Sequence, residues 1–253
     1  MTDFSGEEIE RYARHIVLHD IGGVGQARIA AAHVTLIGMG GIGNPALMYL
    51  AAAGIGTVRI VDDDEVSLSN LQRQPLFGTA DIGKSKASVA ADRVAALNPH
   101  VRVEALETRV DAANAETLIA GTAVIIDGTD NFASRLTISD AATRAQIPLV
   151  SAAIGRFQGQ IGTFRGWLAD APCYRCFIGD ALDPDDCDDC ATQGVLGAMV
   201  GMMGSLAAME AIRAITGFGD DPTGKLHIID GLAPGWRTIR LPKDPGCSAC
   251  SGQ

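Results

Sequence analysis

The feature that most constrains this chain is a glycine-rich segment between two short apolar runs. The first run, 33–37, leads into Gly38-Met-Gly-Gly-Ile-Gly43, and the second ends at Asp62. Glycines let the backbone turn sharply and approach a ligand, and free N–H groups at the following helix start attract an anion. An acidic residue after the second strand suits a ribose hydroxyl. This order predicts an adenine-nucleotide site, although a dehydrogenase would show the same fingerprint and a packing turn is the structural alternative.

Apolar runs and helical segments alternate through the first 155 residues. The runs 33–38, 57–62, 101–106, 123–127 and 148–153 are predicted strands. One predicted helix is capped by Asn44, starts at Pro45 and ends before Gly54. The next carries Ala87, Ala90, Val94 and Leu97 on one face. Alternating strands and helices indicate a Rossmann-like, mostly parallel sheet with helices on both faces.

The pattern changes after about residue 155. Predicted strands at 158–165, 225–230 and 236–241 are separated by a helix from about 200 to 216. Because no linker marks a boundary, we expect these strands to extend the same sheet in antiparallel fashion. The prediction is one domain over 1–253, with a nucleotide-binding half (1–155) and a second half (156–253).

Composition and charge limit the partners and the cellular location that we expect for this chain. Hydrophobic residues make up 47% of 253 residues, which favours a folded core over disorder. With 20 Lys and Arg against 30 Asp and Glu, the net charge of -10 argues against nucleic acid as a partner. No uninterrupted apolar run approaches the ~18 residues of a membrane span, and the N-terminus lacks signal-peptide regions. We therefore expect a cytoplasmic protein without a membrane partner.

Polar residues follow the predicted ribose-binding strand. Ser69, Asn70, Arg73 and Lys86 supply donors and two cations, which suit a triphosphate better than a dinucleotide because its charge is concentrated. Farther on, Asp127-Gly-Thr-Asp130-Asn131 follows another strand, on the ligand-binding side of a parallel sheet. Asp130 is a candidate Mg²⁺ ligand or a helix cap, and the sequence does not separate these roles.

Six cysteines fall into three CxxC pairs. The pairs Cys173/Cys176 and Cys247/Cys250 could hold one tetrahedral Zn²⁺ and pin the tail to the body. The pair Cys187/Cys190 has the same spacing and could replace either pair or form a disulfide. Since the sequence around it is acidic, which raises a thiol pKa, a mobile acidic loop without chemistry is an equal alternative.

Together these motifs resemble the E1-like ThiF/MoeB/HesA superfamily, with the molybdopterin-synthase branch nearest and the thiamine-pathway branch next. The resemblance spans nearly the whole chain. It implies one adenylation domain over 1–253, with a nucleotide-binding half (1–155) and a carrier-binding and zinc half (156–253). The matching segments are Arg11-Tyr-Ala-Arg14-His-Ile, Gly38–Gly43, Asp62-x-Asp64, Ser69-Asn-Leu-Gln-Arg-Gln74, Lys86, Asp130-Asn131 with Arg135, and the cysteine pairs 173/176 and 247/250. Ser139 and Ala198 depart from the family pattern, at positions where Asn and Pro are common.

The resemblance implies a role for each matching residue. Arg14 would reach a neighbouring subunit's nucleotide across a homodimer interface, Asp130 would serve Mg²⁺, and Cys190 would be a nucleophile that links to the carrier. The implied catalytic set is Arg14, Arg73, Lys86, Asp130 and Cys190. The implied ATP-binding set is Gly38, Gly40, Gly41, Gly43, Asp62, Asp64, Ser69, Asn70, Arg73, Lys86, Asp130 and Asn131.

The implied activity is ATP-dependent adenylation of the C-terminal glycine of a small ubiquitin-like sulfur carrier ending in Gly-Gly. Such a reaction serves molybdenum-cofactor or thiamine biosynthesis. Because the chain stops just past the last cysteine pair, we expect sulfur from a separate sulfurtransferase. The alternatives are an NAD-dependent oxidoreductase on the same loop and a non-catalytic, zinc-stabilised nucleotide-binding scaffold.

Overall fold

The computed structural model describes residues 4–180, 194–233 and 235–251, and its strands form one sheet. The strands are β1 (His33–Ile37), β2 (Thr57–Val61), β3 (Arg102–Leu106), β4 (Val124–Asp127), β5 (Leu149–Gly155), β6 (Gln158–Phe164), β7 (Lys225–Asp230) and β8 (Gly235–Arg240). The helices of the described ranges are α1 (Gly6–Ile16), α2 (Gly22–Ala31), α3 (Gly43–Ala52), α4 (Lys86–Leu97), α5 (Ala115–Ile119), α6 (Phe132–Ala145), α7 (Tyr174–Ile178) and α8 (Gly197–Thr216).

The strand order is β3-β2-β1-β4-β5-β6-β7-β8. Strands β1 to β5 pair in parallel, and β6, β7 and β8 add antiparallel pairs. The predicted fold class is therefore confirmed, including the antiparallel extension by the C-terminal strands. From β1 the chain passes to β2 on one side and later to β4 on the other. Ligands bind at such a reversal of strand order, beyond the carboxyl ends of the strands.

Both faces of the parallel strands are buried. On β1, Val34 and Leu36 belong to the apolar cluster that includes α3, α4 and α8, whereas Ile37 belongs to the cluster with α5, α6 and α7. The alternation follows from the two-residue period of a strand, and burial on both faces explains why these strands are continuous apolar runs.

One local prediction was wrong. Helix α3 begins at Gly43, so Asn44 is not its cap. The Asn44 amide instead donates to the Met39 carbonyl at 2.8 Å and accepts from the Leu76 N–H at 3.0 Å, which joins two loops. Of the residues predicted to share one face of α4, Ala87, Ala90 and Val94 are buried, and Leu97 in the last turn of the helix is 43% exposed.

Helix α8 runs along the core. Among the described residues it is the one helix long and apolar enough to cross a membrane by length and composition. Met203, Ala207 and Ala211 are nonetheless fully buried in the cluster that packs against α3 and the sheet. Central helices of globular proteins meet the same criteria, so this composition reflects burial in the core.

Candidate nucleotide-binding site

A cavity of about 550 Å³ opens at the carboxyl ends of β1, β2 and β4. Its position beside the reversal of strand order agrees with the rule for open parallel sheets. Ten of the twelve predicted nucleotide-binding residues line it. They are Gly38, Gly40, Gly41, Asp62, Asp64, Asn70, Arg73, Lys86, Asp130 and Asn131.

The glycine loop is built by close backbone packing. Gly38 has a φ of 90°, which L side chains rarely adopt, and a Cβ there would lie 2.9 Å from the carbonyl of Gly128. A Cβ on Gly43 would overlap the carbonyl oxygen of Gly38. Gly40 faces open space, with Gln74 at 3.9 Å as its nearest neighbour. Gly43 therefore lies behind the cavity and supports the loop, whereas Gly40 borders the space a ligand would occupy.

Asp62 joins the glycine loop to β2. Its Oδ2 accepts the Met39 N–H at 2.6 Å, and its Oδ1 accepts the Asp64 N–H at 2.9 Å. Burial raises the pKa of Asp62, and the positive charge of Lys86 and the two N–H donors offset only part of this effect. A buried carboxylate held at a fixed angle beside the loop has the acceptor geometry that ribose hydroxyls need.

Two cations reach the cavity from the segment after β2. Lys86 opens α4, is 5% exposed and forms an ion pair with Asp64 at 2.6 Å. Arg73 is half-buried and donates to the Ser69 carbonyl at 2.8 Å. Both side chains border the same space as the glycine loop, so their charge is available to an anionic ligand there.

The opposite wall starts at the end of β4. Asn131 caps α6, because its side chain accepts the Ser134 N–H at 2.8 Å. The alternative that Asp130 is the cap is therefore wrong. Asp130 is exposed, borders the cavity and forms no side-chain hydrogen bond among the described residues. An exposed carboxylate beside a cavity that Arg73 and Lys86 also border is the donor type that Mg²⁺ prefers.

A buried network of polar side chains beneath this wall was not predicted from the sequence. Asp127 is fully buried and accepts hydrogen bonds from Thr129 and from the Ser151 hydroxyl. Arg135, 5% exposed, donates to Ser151 and to the carbonyls of Thr129 and Ala152. An apolar run that ends in Asp, followed eight residues later by Arg, was the available signal. This signal could not be interpreted alone, because the partners Ser151 and Ala152 lie on β5, a later segment of the chain.

Among the described residues, three of the predicted nucleotide-binding and catalytic sets do not line this cavity. Gly43 is behind the loop, and the hydroxyl of Ser69 contacts that of Ser67 at 3.1 Å without lining the cavity. Arg14 is exposed on α1 and does not line the cavity. Cys190 lies outside the described residues, as does Cys187, so the predictions for that pair stay predictions.

The cysteines 173, 176, 247 and 250 come together although the two pairs are far apart in sequence. All four Sγ atoms lie within 4.8 Å of one another. The Sγ–Sγ distances are 3.4 Å for Cys176 and Cys250, 3.6 Å for Cys173 and Cys247, and 3.8 Å for Cys173 and Cys176. A disulfide needs about 2.05 Å, whereas the sulfurs of a tetrahedral thiolate site with metal–sulfur bonds of about 2.3 Å are nearly 4 Å apart. The cluster therefore has the spacing of a metal site.

Burial disfavours the thiolate form at two of the four cysteines. Burial raises the pKa of Cys173, and it raises the pKa of Cys250 to about 11. A bound cation favours the thiolate form and releases protons, so this donor set fits a thiophilic metal.

The ThiF family model matches residues 12–249. The chain belongs to the ThiF family. "Probable adenylyltransferase/sulfurtransferase MoeZ" of Mycobacterium tuberculosis is 45% identical over 246 residues, which are 95% of this chain. This chain spans 62% of the length of that relative.

Shorter family members are covered almost completely. "Sulfur carrier protein ThiS adenylyltransferase" of Escherichia coli is 41% identical, with 96% of this chain and 95% of the relative covered. "Molybdopterin-synthase adenylyltransferase" of Escherichia coli is 37% identical, with 99% of both chains covered. Among solved structures, that of PaaA superposes with a TM-score of 0.82 at 28% identity and covers 96% of this chain and 76% of that one. The ThiF fold thus accounts for both halves of the sheet.

Proposed function

We propose that this chain adenylates the C-terminal glycine carboxylate of a small sulfur-carrier protein ending in Gly-Gly. A carboxylate oxygen attacks the α-phosphorus of ATP, the bond from that phosphorus to the bridging oxygen breaks, and pyrophosphate leaves with the oxygen. The product is a carrier acyl-adenylate, ready for conversion to a thiocarboxylate. Since no proton has to be transferred, the protein's work is alignment and charge stabilisation.

One observation carries the proposal. The glycine loop, the acidic Asp62 and two cations border a single cavity, and charged residues of this kind suit a triphosphate with its ribose. The relatives named as adenylyltransferases of sulfur carriers support the reaction class.

The residues of the cavity would divide the work. Asp62 would accept from the ribose, and the N–H groups of the glycine loop would face the phosphates. Arg73 and Lys86 would neutralise charge that develops on the leaving pyrophosphate. Asp130 would hold Mg²⁺, which supplies further charge neutralisation when bound.

The decisive experiment is carrier-dependent exchange of labelled pyrophosphate into ATP, with the carrier's gain of one AMP followed by mass spectrometry. We expect Arg73→Ala to lower the exchange rate ~10²-fold or more, with folding and metal content unchanged. Arg144→Ala is the matched control, since that arginine is exposed on α6 and pairs with Glu116. Exchange that survives loss of Arg73, or binding of NAD in place of ATP, would contradict the proposal.

The proposal includes a homodimer in which Arg14 reaches the partner's nucleotide. Support comes from the surface around α1 and α2, where Val17, Leu18 and Val24 are each at least half exposed. Leu18 also lines a second, mainly apolar cavity of about 360 Å³ with Tyr49 and Met209. Exposed apolar surface of this kind favours contact between protein chains.

The carrier is proposed to bind the antiparallel half of the sheet, within residues 156–253. All six residues of β8 are exposed, among them Trp236 and Ile239.

We further propose that the cysteine cluster holds structural Zn²⁺ and that a separate sulfurtransferase delivers the sulfur. Within the described residues all four cysteines are in the cluster and none lines the cavity. Such thiols persist in a reducing compartment, so the cytoplasm is the proposed setting.

A further inference from the structure

Gln74 is buried in the wall of the nucleotide cavity and leaves its side-chain amide without a hydrogen bond. The residue is 3% exposed and lines the cavity together with Gly40 and Arg73. Its Oε1 atom is buried and has no partner, and within the described residues its Nε2 atom forms no hydrogen bond either. Burying a polar group without a partner opposes folding, whereas an apolar side chain of the same shape would avoid that cost.

The backbone around Gln74 is fixed to the glycine loop by other groups. Asn44, which is fully buried, donates to the Met39 carbonyl at 2.8 Å and accepts the Leu76 N–H at 3.0 Å, so it links the two loops. The Gln74 N–H donates to the Asn70 carbonyl at 3.0 Å. The position of Gln74 along the cavity wall therefore does not depend on its own side-chain amide.

The Nε2 end of this amide lies beside the glycine loop. A Cβ built on Gly40 would have the Nε2 atom of Gln74 as its nearest neighbour, at 3.9 Å, and would otherwise enter open space. Because Gly40 borders the space a ligand would occupy, the amide N–H groups lie at the edge of the same space. A neutral N–H donor at this place suits a phosphate oxygen, since hydrogen bonds to charged acceptors are stronger than those between neutral groups.

We propose that Gln74 is a further binding residue, whose Nε2 group donates to a phosphate oxygen of the bound nucleotide. The donor then gains a partner that the protein alone does not provide, and this contact offsets part of the cost of burying the amide. Unlike Arg73 and Lys86, Gln74 adds no charge, so it orients the phosphate chain and does not neutralise it. This inference rests on the proposed use of the cavity for ATP.

The test removes only the amide of Gln74. Gln74→Met keeps nearly the same length and volume, and we expect the Kd for ATP, measured by calorimetry with saturating Mg²⁺, to rise about tenfold or more, as loss of one hydrogen bond to a charged group produces. The Kd for adenosine should change less than about threefold, because adenosine has no phosphate. The Tm without ligand should equal or exceed that of the wild type, since the unpartnered amide is gone.

Gln72→Met is the matched control, because Gln72 lies in the same segment, is exposed and does not line the cavity. It should leave both the Kd for ATP and the Tm unchanged. An ATP affinity of Gln74→Met equal to that of Gln72→Met, or an equal loss of affinity for adenosine, would overturn the inference and leave the proposed function intact. A Tm of Gln74→Met below that of the wild type would do the same, because the amide would then support the loop. Wild-type protein that fails to bind ATP would overturn both.

Discussion

The ammonium group of Lys86 lies 2.6 Å from the Oδ2 atom of Asp64. The lysine side chain is 6% exposed and that of Asp64 is 66% exposed, so only the carboxylate can swing into solvent. Lys86 is therefore held in place before any ligand arrives, and its partner can give way to a phosphate. Preorganised charge of this kind costs little reorganisation during a reaction.

Lys86→Met should separate catalysis from stability. We expect adenylation to fall ~10²-fold or more, whereas the Tm should stay level or rise, because the buried charge disappears and Asp64 becomes solvated. Pyrophosphate exchange and thermal unfolding measure the two effects. Lys84→Ala serves as control, since Lys84 is 58% exposed and points to Asp81. A rate within threefold of wild type would contradict the role given to Lys86.

The glycine loop predicts opposite outcomes for two alanine substitutions. Gly43→Ala should lower the free energy of unfolding by about 1–3 kcal/mol, the usual range for an overpacked site, because its Cβ would overlap Gly38. Gly40→Ala should leave stability nearly unchanged and weaken ATP binding, because its Cβ enters open space at the cavity. Denaturant unfolding and calorimetry distinguish the two. Equal destabilisation by both would show that the loop packs differently.

Asp81 makes stability depend on pH. Its carboxylate accepts hydrogen bonds from the Gly78 N–H at 2.9 Å and from Arg93 at 2.7 Å. These contacts lower the pKa of Asp81, and the bond from Gly78 has the largest effect. Because the pKa is lower in the folded state, the ionised carboxylate stabilises the fold at any pH above the pKa of an ordinary aspartate. This stabilisation is lost as the pH falls through the folded-state pKa. Asp81→Asn should thus lower the Tm by several degrees at pH 7, and this difference should shrink below about pH 4.

Thermal unfolding from pH 3 to pH 7 checks that sign. Asp92→Asn, an exposed neighbour on α4, is the control and should have little effect at any pH. A difference for Asp81→Asn that grows toward acid would refute the assignment.

Arg14 can be tested by mixing subunits. If it acts on the partner's nucleotide, Arg14→Ala and Arg73→Ala homodimers should each be inactive, while a mixture should regain activity through dimers with one intact site. Random reassortment of equal amounts makes half the dimers mixed, so about a quarter of wild-type activity is expected. Exchange assays after co-refolding measure it. Failure to recover any activity, with mixed dimers demonstrated by mass, would argue that Arg14 acts within its own subunit.

Local sequence signals predicted the elements that their own residues determine. Strand β7 occupies the predicted residues, and the other predicted strands agree within one or two residues at either end. The agreement arises because a strand that is buried on one or both faces has apolar residues at the corresponding positions of its own sequence. The glycine loop and Asp62 were likewise predictable, since strand, turn and strand follow one another within 30 residues. The pairing of the two CxxC motifs was predicted from ligand chemistry, although they are 74 residues apart.

The contacts between distant segments were not predictable in this way. The start of α3, the ion pair of Lys86 with Asp64, and the hydrogen bond from the Tyr174 N–H to Ser139 each depend on elements that meet only after the sheet has assembled. What the sequence alone determined is the set of elements and the residue types a nucleotide and a metal require. Only the tertiary structure decided which side chains border the cavity, because those positions follow from strand order and long-range packing, which no local period encodes.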